Sequence, residues 1–493
     1  FYAPHIFLKY FLGCHFWIRN VFLVSIYANI GRGILRGGVF CLGKDEFFRE
    51  ILECSYRMLE KYPLCDHCLG RQFAFLGFGV DNSERGRSIK MLLAMMAHKM
   101  AISEETKLKK MGVAILKTLA TNGSFKMALD LLNKMRRRVG EVKKCFLCGG
   151  LFGNIEPIVS GAIESLKNYE FESFLVGIKL PLEIEEREDE FKAEFNVKYG
   201  ESIKNEFSRI IGREISQKLN KKVDYMKPQI VVLINPFTRE INLQVSSLFI
   251  AGRYRKLIRG IPQSKWICRK CRGKGCAKCN WTGKLYPESV EELIAKPILE
   301  LTLGEETSFH AAGREDRDVR MLGQGRPFII EVKKPKKRDI DLKELKEIIN
   351  EYAKGKVEVL KLRLADKEDV KKLKSMEHAK KIYRVIVKFN REISDEEIEK
   401  LEKALTDVTI RQRTPLRVSH RRSDKIREKH IYETKIKRLT KSSVEMRIKC
   451  QGGLYVKELI TGDNGRTDPS VSKIINAIAE PIELDVLNVL SER

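Results

Sequence analysis

Residues 309–328 read FHAAGREDRDVRMLGQGRPF. Two carboxylates, Asp316 and Asp318, stand among arginines, and glycines punctuate the string at 313, 323 and 325. The tetrapeptide Gly-Arg-Glu-Asp alone is consistent with an ion-paired surface loop. If the segment were a strand, Asp316 and Asp318 would share a face, since side chains alternate with period two. Arg314, two residues before Asp316, could pair with that carboxylate and hold it ionised.

Outward from this string the chain is large and basic. It has 493 residues, which suggests about three domains, and a formal net charge of +27 from 93 Lys+Arg against 66 Asp+Glu. Hydrophobic residues make up 43%, enough to bury proper cores and too many for a disordered chain. The cationic excess points to a polyanionic partner, nucleic acid or an acidic membrane surface. No stretch is long and apolar enough to span a bilayer, which takes about 20 residues. Residues 1–43 begin with Phe1 and mix apolar, aromatic and basic positions without the layout of a signal peptide. They are read as a non-native or unstructured extension.

Eight of the 12 cysteines fall in four C-x-x-C pairs. In a large Lys/Glu-rich chain such pairs read as zinc thiolates of a reducing compartment, not disulfides. The tightest group is CRKCRGKGCAKC, where Cys268, Cys271, Cys276 and Cys279 supply four thiolates. Four protein ligands leave no open coordination position, so the zinc expected there is structural. Cys65 and Cys68 form a second knuckle and Cys145 and Cys148 a third, which together can close another four-cysteine site on a helical insertion. His67 lies inside the first knuckle and is a poor ligand once four thiolates exist. Cys14, Cys41, Cys54 and Cys450 read as buried or incidental.

Hydrophobic spacing predicts helices through 84–138, with the methionine stripe of Met91, Met95 and Met100 packing into the core. Strands are expected at 174–180 and 230–234, and Ile241, Leu243 and Val245 alternate on one face. Asn235-Pro236 opens the turn between the last two. Ser289 and Glu292 form a capping box that starts a helix. Leu342, Leu345, Ile348, Ile349 and Tyr352 share one helical face. The strand over 357–364 alternates Val357 and Val359, then Leu362 and Leu364 after a slip.

The 309–328 string resembles the catalytic motif of the archaeal and eukaryotic pseudouridine synthase family that acts on the TΨC arm of tRNA. That family carries G-R-E-D-x-D-V-R-x-L-G-x-G-R-P-F, and this chain has it without a departure. CDHCLGRQF at 65–73, GRYRKLIRGIPQSKW at 252–266, QRTPLRVSHRRSD at 412–424 and YVKELITGDNGRTDPS at 455–470 are similar to further motifs of the family. The stretch 160–260 resembles, more loosely, a THUMP RNA-binding domain. The resemblance covers about 50–493; residues 1–43 have no counterpart in it.

The resemblance implies an α+β chain: an N-terminal zinc-containing THUMP-like RNA-binding domain and a C-terminal catalytic domain on a central mixed or antiparallel sheet. The expected divisions are a helical region with knuckles over 44–150, the THUMP-like domain over 151–265, the four-cysteine module over 266–284 and the catalytic domain over 285–493. It also implies that Asp316 is the catalytic nucleophile and that the substrate is met by Arg314, Tyr383, Tyr455, Lys457 and Leu484. Tyr383 would stack on the uracil, Lys457 pair with Asp316 or a phosphate, and Leu484 pack against the base. From its residues alone Tyr383 reads as a strand tyrosine of the core. The implied activity is isomerisation of uridine 55, and of its neighbour 54, by a cytoplasmic monomer. No cofactor serves the chemistry, and one or two zinc ions are structural.

Residues 411–440 hold 11 Lys/Arg and three Asp/Glu, a local excess of 11 − 3 = +8, suited to phosphate contacts. Two other classes compete. Another THUMP-type tRNA-modifying enzyme would need either a Ser-Gly-Gly-x-Asp-Ser loop, which is absent, or a glycine-rich loop between strand and helix, which CLGRQF and MLGQGRPF do not supply. A non-catalytic zinc-containing RNA-binding protein explains the cysteines and the charge but not 309–328.

Overall fold

The computed structural model describes residues 46–376 and 379–490. The extension expected over 1–43, with Cys14 and Cys41, lies outside the described residues. The chain divides into two compact units, one of residues up to Gly150 with Glu186–Ile203, the other of Leu151–Glu185 with Lys204 onward.

The first unit is helical. Its longest helix, Asn82–Ala101, buries Leu93, Ala94, Ala97 and Ala101. The methionine stripe does not form this core: Met95 is 57% exposed, and Met91 and Met100 are only half-buried. Small residues occupy the inward face because neighbouring backbones approach closely there. A Cβ on Gly86 would lie 2.0 Å from the Asp66 carbonyl. Lys90 is fully buried on the same helix. Its ammonium donates to the Leu64 and Gly123 carbonyls and to the Asp66 carboxylate at 2.7–2.8 Å, so the charge is not orphaned.

The second unit holds two sheets. Strands β1 (Ser173–Ile178), β2 (Lys222–Val223), β3 (Ile230–Asn235) and β4 (Glu240–Val245) form the first, in order β2-β1-β3-β4. Strand β3 alternates buried Ile230, Val232 and Ile234 with half-buried neighbours, the period of a strand covered on one face. The β3–β4 turn is set by Asn235, whose side-chain oxygen accepts from the Phe237 and Thr238 amides.

The other sheet has ten strands. They are β5 (Leu248–Lys256), β6 (Glu306–Ala311), β7 (Arg320–Lys333), β8 (Val357–Ala365), β9 (Lys381–Phe389), β10 (Val408–Arg413), β11 (Ile426–Thr440), β12 (Ser443–Cys450), β13 (Thr467–Asp468) and β14 (Ala479–Val489). The order is β13-β10-β11-β12-β9-β14-β7-β5-β8, with β6 on β7. Strand β5, read from sequence as the end of the 151–265 domain, is an interior strand here, flanked by β7 and β8. Its inward residues Leu248, Ile250 and Tyr254 pack into this core. The slip in β8 is a bulge: the register with β5 shifts between Ala251 and Arg253, and Lys361 has φ +46. Ser289 caps the helix Val290–Thr302, its hydroxyl accepting from the Glu292 amide at 3.3 Å. On the helix Leu342–Tyr352 only Leu345 and Ile349 are buried, while Ile348 and Tyr352 are 39% and 48% exposed.

Strand β14 brings the functional segments together. It lies between β9, antiparallel, and the start of β7, parallel, so that Val486 faces both Tyr383 and Met321. Arg320 and Met321 of the 309–328 string are thereby placed beside Asp485 and Val486, one strand away from Tyr383. Among the described residues no helix is long and apolar enough to cross a membrane.

Candidate active site

Residues 312–319 form a loop between β6 and β7, not a strand. Side chains leave it in two directions. Glu315 turns inward and is fully buried, ion-paired to the buried Arg326 guanidinium at 2.8 Å. The Tyr254 hydroxyl also donates to Glu315, at 2.8 Å, and is itself capped by Gln263 at 2.7 Å. Asp316 turns outward, its side chain 36% exposed. The two motif halves, G-R-E-D and G-R-P-F, are thus bound to each other through Glu315 and Arg326. Gly323 allows this return: it has φ +56, and a Cβ there would lie 1.9 Å from the Leu487 carbonyl of β14.

The cation expected at Asp316 is not Arg314. Arg314 donates to the Ser264 hydroxyl at 2.9 Å and lies over the Trp266 ring, 5.5 Å from its centre. In a loop, unlike a strand, residues two apart need not share a direction. Asp316 is instead paired by Arg417, at 2.9 Å, from the short turn Leu416–Arg421 between β10 and β11. Arg417 is anchored in turn by the buried Glu458, its Nε donating at 2.6 Å. Lys457 donates to Asp318 at 2.6 Å and stands 3.8 Å from Asp316. Sequence reasoning missed Arg417 as a site residue. It counted only as one of many arginines in a basic run.

Tyr383 is half-buried on β9. Burial pushes its phenol well above the ordinary value, with Cys450, Glu315 and Asp316 raising it further and Arg326 opposing. The ring therefore stays neutral at physiological pH, a stacking surface and a donor. Tyr455 caps the helix Val456–Thr461, its hydroxyl accepting from Arg422 at 3.2 Å and its backbone held by the buried Gln412. Leu484 is 8% exposed and belongs to the main core, which leaves only its edge for a base. Beside it Asp485, fully buried, draws together Arg259, Arg320 and Arg384 at 2.6–3.1 Å.

Beneath the loop lies a second feature that spacing did not reveal. Segment 256–263 donates to its carbonyls one after another. Lys256 reaches the oxygens of Ile261, Asp316 and Arg317 at 2.7–3.1 Å. Arg259 reaches Asp318, the Gly260 amide reaches Arg317, and Gln263 reaches Gly313. Lys256 is buried, and burial lowers its ammonium to about 8, against the pull of Glu315, Asp318 and Asp316 and with Arg259 adding to the fall. A neutral amine has two hydrogens for three carbonyls. Because the folded chain releases this proton near pH 8, where the unfolded chain still holds it, the loss does not itself reduce folding stability between pH 8 and the ordinary lysine value. Turnover should nevertheless fall as pH rises through about 8. In Lys256→Met this alkaline limb should vanish and turnover should already be low at neutral pH. A variant keeping the parent's pH–turnover profile would exclude the role.

The family model described as Pus10, C-terminal, matches residues 249–490, and that of the Pus10 THUMP domain, archaeal, matches 158–235. The tRNA pseudouridine synthase Pus10 of Methanocaldococcus jannaschii is 47% identical over 444 residues, 88% of this chain and 94% of its own. The chain belongs to the Pus10 family. A second Pus10 relative, from Thermofilum pendens, is 40% identical over 90% of this chain and 97% of its own. Among solved structures, a chain in a Cbf5-Nop10-Gar1 complex covers 48% of this chain at 15% identity with a TM-score of 0.27, too low to define a shared fold. Strand β5 falls inside the Pus10 C-terminal match, in keeping with its place in the ten-stranded sheet.

This Pus10-family chain brings its paired knuckles together twice. Cys65, Cys68, Cys145 and Cys148 form one group and Cys268, Cys271, Cys276 and Cys279 the other, with all sulfurs of a group within 4.8 Å of one another. A zinc–sulfur bond of about 2.3 Å in a tetrahedron requires sulfurs about 3.8 Å apart. The spacings of 3.7 Å for Cys65–Cys148, 3.9 Å for Cys268–Cys276 and 3.8 Å for Cys271–Cys279 fit that edge. Backbone amides also point at the sulfurs, Gly275 to Cys271 and Cys276 to Cys279 at 3.3 Å, as outer partners that favour thiolates. Both groups could hold zinc as a cross-link. A strong chelator should therefore lower the melting temperature by several degrees and loosen the chain over minutes, with turnover declining in step with unfolding. Instant loss of activity in a still-folded chain would contradict a structural role.

Proposed function

We propose that this chain isomerises uridine to pseudouridine in tRNA, at position 55 and its neighbour 54 of the TΨC loop, with Asp316 as nucleophile. The supporting observation is the setting of one carboxylate. Asp316 stands half-exposed on a loop that the buried Glu315 anchors from within, between the cations Arg417 and Lys457 and within electrostatic reach of the Tyr383 phenol.

The reaction breaks the bond from N1 to C1′ and makes one from C5 to C1′; the C5 hydrogen leaves as a proton and N1 gains one. Nothing is oxidised and no external group enters, so a carboxylate and proton exchange suffice. The cationic partners Arg417 and Lys457 align the Asp316 carboxylate. The target base must leave its stack, at a cost of a few kcal/mol. Tyr383 offers a face for the everted uracil, and the exposed edge of Leu484 packs beside it. Tyr455 and Arg314 meet the flanking ribose and phosphate. The basic 411–440 hairpin holds backbone phosphates, and the THUMP region grips the acceptor end by shape and charge. The proposed division is a helical knuckle region over 44–150, the THUMP-like domain over 151–265 except for strand β5, which belongs to the catalytic sheet, the four-cysteine module over 266–284 and the catalytic domain over 285–493. The chain works as a cytoplasmic monomer.

The test is direct. An unmodified tRNA transcript incubated with the protein, then mapped by carbodiimide primer extension, should show the stops, one nucleotide 3′ of each modified base, that report pseudouridine at 55 and 54. A wild-type protein that binds tRNA and leaves both uridines unchanged would favour a zinc-containing RNA-binding protein, and stops elsewhere would refute the position.

A further inference from the structure

Residues 265–286 contain seven Lys/Arg and no Asp or Glu. Four thiolates on one zinc would carry −4 + 2 = −2, leaving 7 − 2 = +5 on a module of this size. A structural staple alone has no use for that concentration of one sign, which costs repulsion in the folded state. The charge is also arranged. A cleft of about 560 Å³ opens on the module, walled by Trp266 and Tyr286 and rimmed by Lys270, Lys278 and Asn280. The two rings meet edge to face, 5.6 Å between centres. Lys270, Lys278 and Asn280 are exposed.

The aromatic wall of the cleft meets the catalytic loop. Arg314 lies over the Trp266 ring and Arg317 over the Tyr286 ring, at 5.5 and 5.1 Å. These arginines flank Asp316 in sequence. A strand whose nucleotide is everted onto Asp316 must carry its neighbouring nucleotides away from the loop. On this side, the surface it meets is cationic and aromatic, the combination that binds single-stranded RNA through phosphates and base faces.

We propose that the Cys268–Cys279 module is an RNA-docking surface, taking the substrate strand that flanks the target uridine, with phosphates on Lys270 and Lys278 and a base against the Trp266–Tyr286 wall. This rests on the proposed tRNA substrate. It gives the module a role in substrate binding besides that of a cross-link.

The experiment measures affinity for an unmodified tRNA transcript by filter binding over a range of salt. Lys270→Glu/Lys278→Glu should weaken binding at least about tenfold and make the log–log salt slope shallower by about 1.4–1.8, two phosphates at roughly 0.7–0.9 each. KM for tRNA should rise with kcat nearly unchanged. Lys270→Ala/Lys278→Ala should shift affinity the same way by a smaller factor, and Lys270→Arg/Lys278→Arg should restore it. The control is Lys371→Glu/Lys374→Glu on the helix Lys367–Ser375. A loss no greater than the control's, or an unchanged slope in the alanine pair, overturns the proposal. Lost binding to polyglutamate with intact tRNA affinity would overturn it too and mark the surface as one for an acidic protein. A wild-type protein that makes no pseudouridine would sink the enzymatic reading and leave these binding differences standing, so the two failures are distinguishable.

Discussion

Asp316→Ala should lower pseudouridine formation by at least about 10⁴-fold, close to 5.5 kcal/mol in the barrier at about 1.36 kcal/mol per decade, while tRNA affinity changes by less than about threefold. The asymmetry follows from geometry. The loop is held by more than the Asp316 side chain: the carbonyls of 313, 316, 317 and 318 are fixed by Gln263, Lys256, Gly260 and Arg259, and the inward anchor is Glu315. Removing the Asp316 carboxylate frees Arg417 and Lys457, which remain tied to Glu458 and Asp318. Neither cation is stranded in an apolar interior, and two positive charges become more available to phosphate. Fold and binding should therefore persist, and binding should if anything tighten slightly at low salt. Asp316→Asn should behave in the same way, since an amide is no nucleophile. Single-turnover mapping with enzyme in excess checks this. Residual turnover within about tenfold of wild type would remove Asp316 from the chemistry.

Glu315→Gln should destabilise the chain by about 3–5 kcal/mol, the usual cost of stranding one partner of a buried ion pair. Arg326 is 1% exposed, and Glu315 is its one carboxylate partner among the described residues, alongside a bond from its Nη1 to the Ala312 carbonyl. An amide can still accept from Tyr254 but cannot neutralise a guanidinium. The effect should reach function, because Glu315 precedes Asp316 in the chain and pins the loop from below. Both stability and kcat should fall, unlike in Asp316→Ala. Glu315→Gln/Arg326→Met removes the stranded charge and should recover a large part of the stability, giving a coupling energy of roughly 2 kcal/mol or more. Urea unfolding of the four proteins measures this. A single-variant loss below about 1 kcal/mol would show that water or rearrangement already compensates Arg326.

Much of this was legible in the sequence. Cysteine spacing told which thiols would meet, because a C-x-x-C turn places two sulfurs together whatever surrounds it. Alternation marked β3 and β4, and Ser289 marked a helix start, since these signals depend on residues a few positions apart. Periodicity failed on Met91, Met95 and Met100, where the close approach at Gly86 selects the alanine face of the helix for burial instead.

The sequence by itself determined the family, the two cysteine groups and the string that carries Asp316. Only the tertiary structure decided what surrounds that carboxylate. Arg417 replaces Arg314 as its partner, from a turn between two strands far along the chain. Lys256 and Gln263 hold its loop from β5 and the turn after it, and β14 pairs with Tyr383 on one side and with the start of β7 on the other. Contacts of that kind depend on strand register and on the path of connecting loops. No spacing rule within a segment encodes them, because the free energy that fixes a register is spread over the whole core.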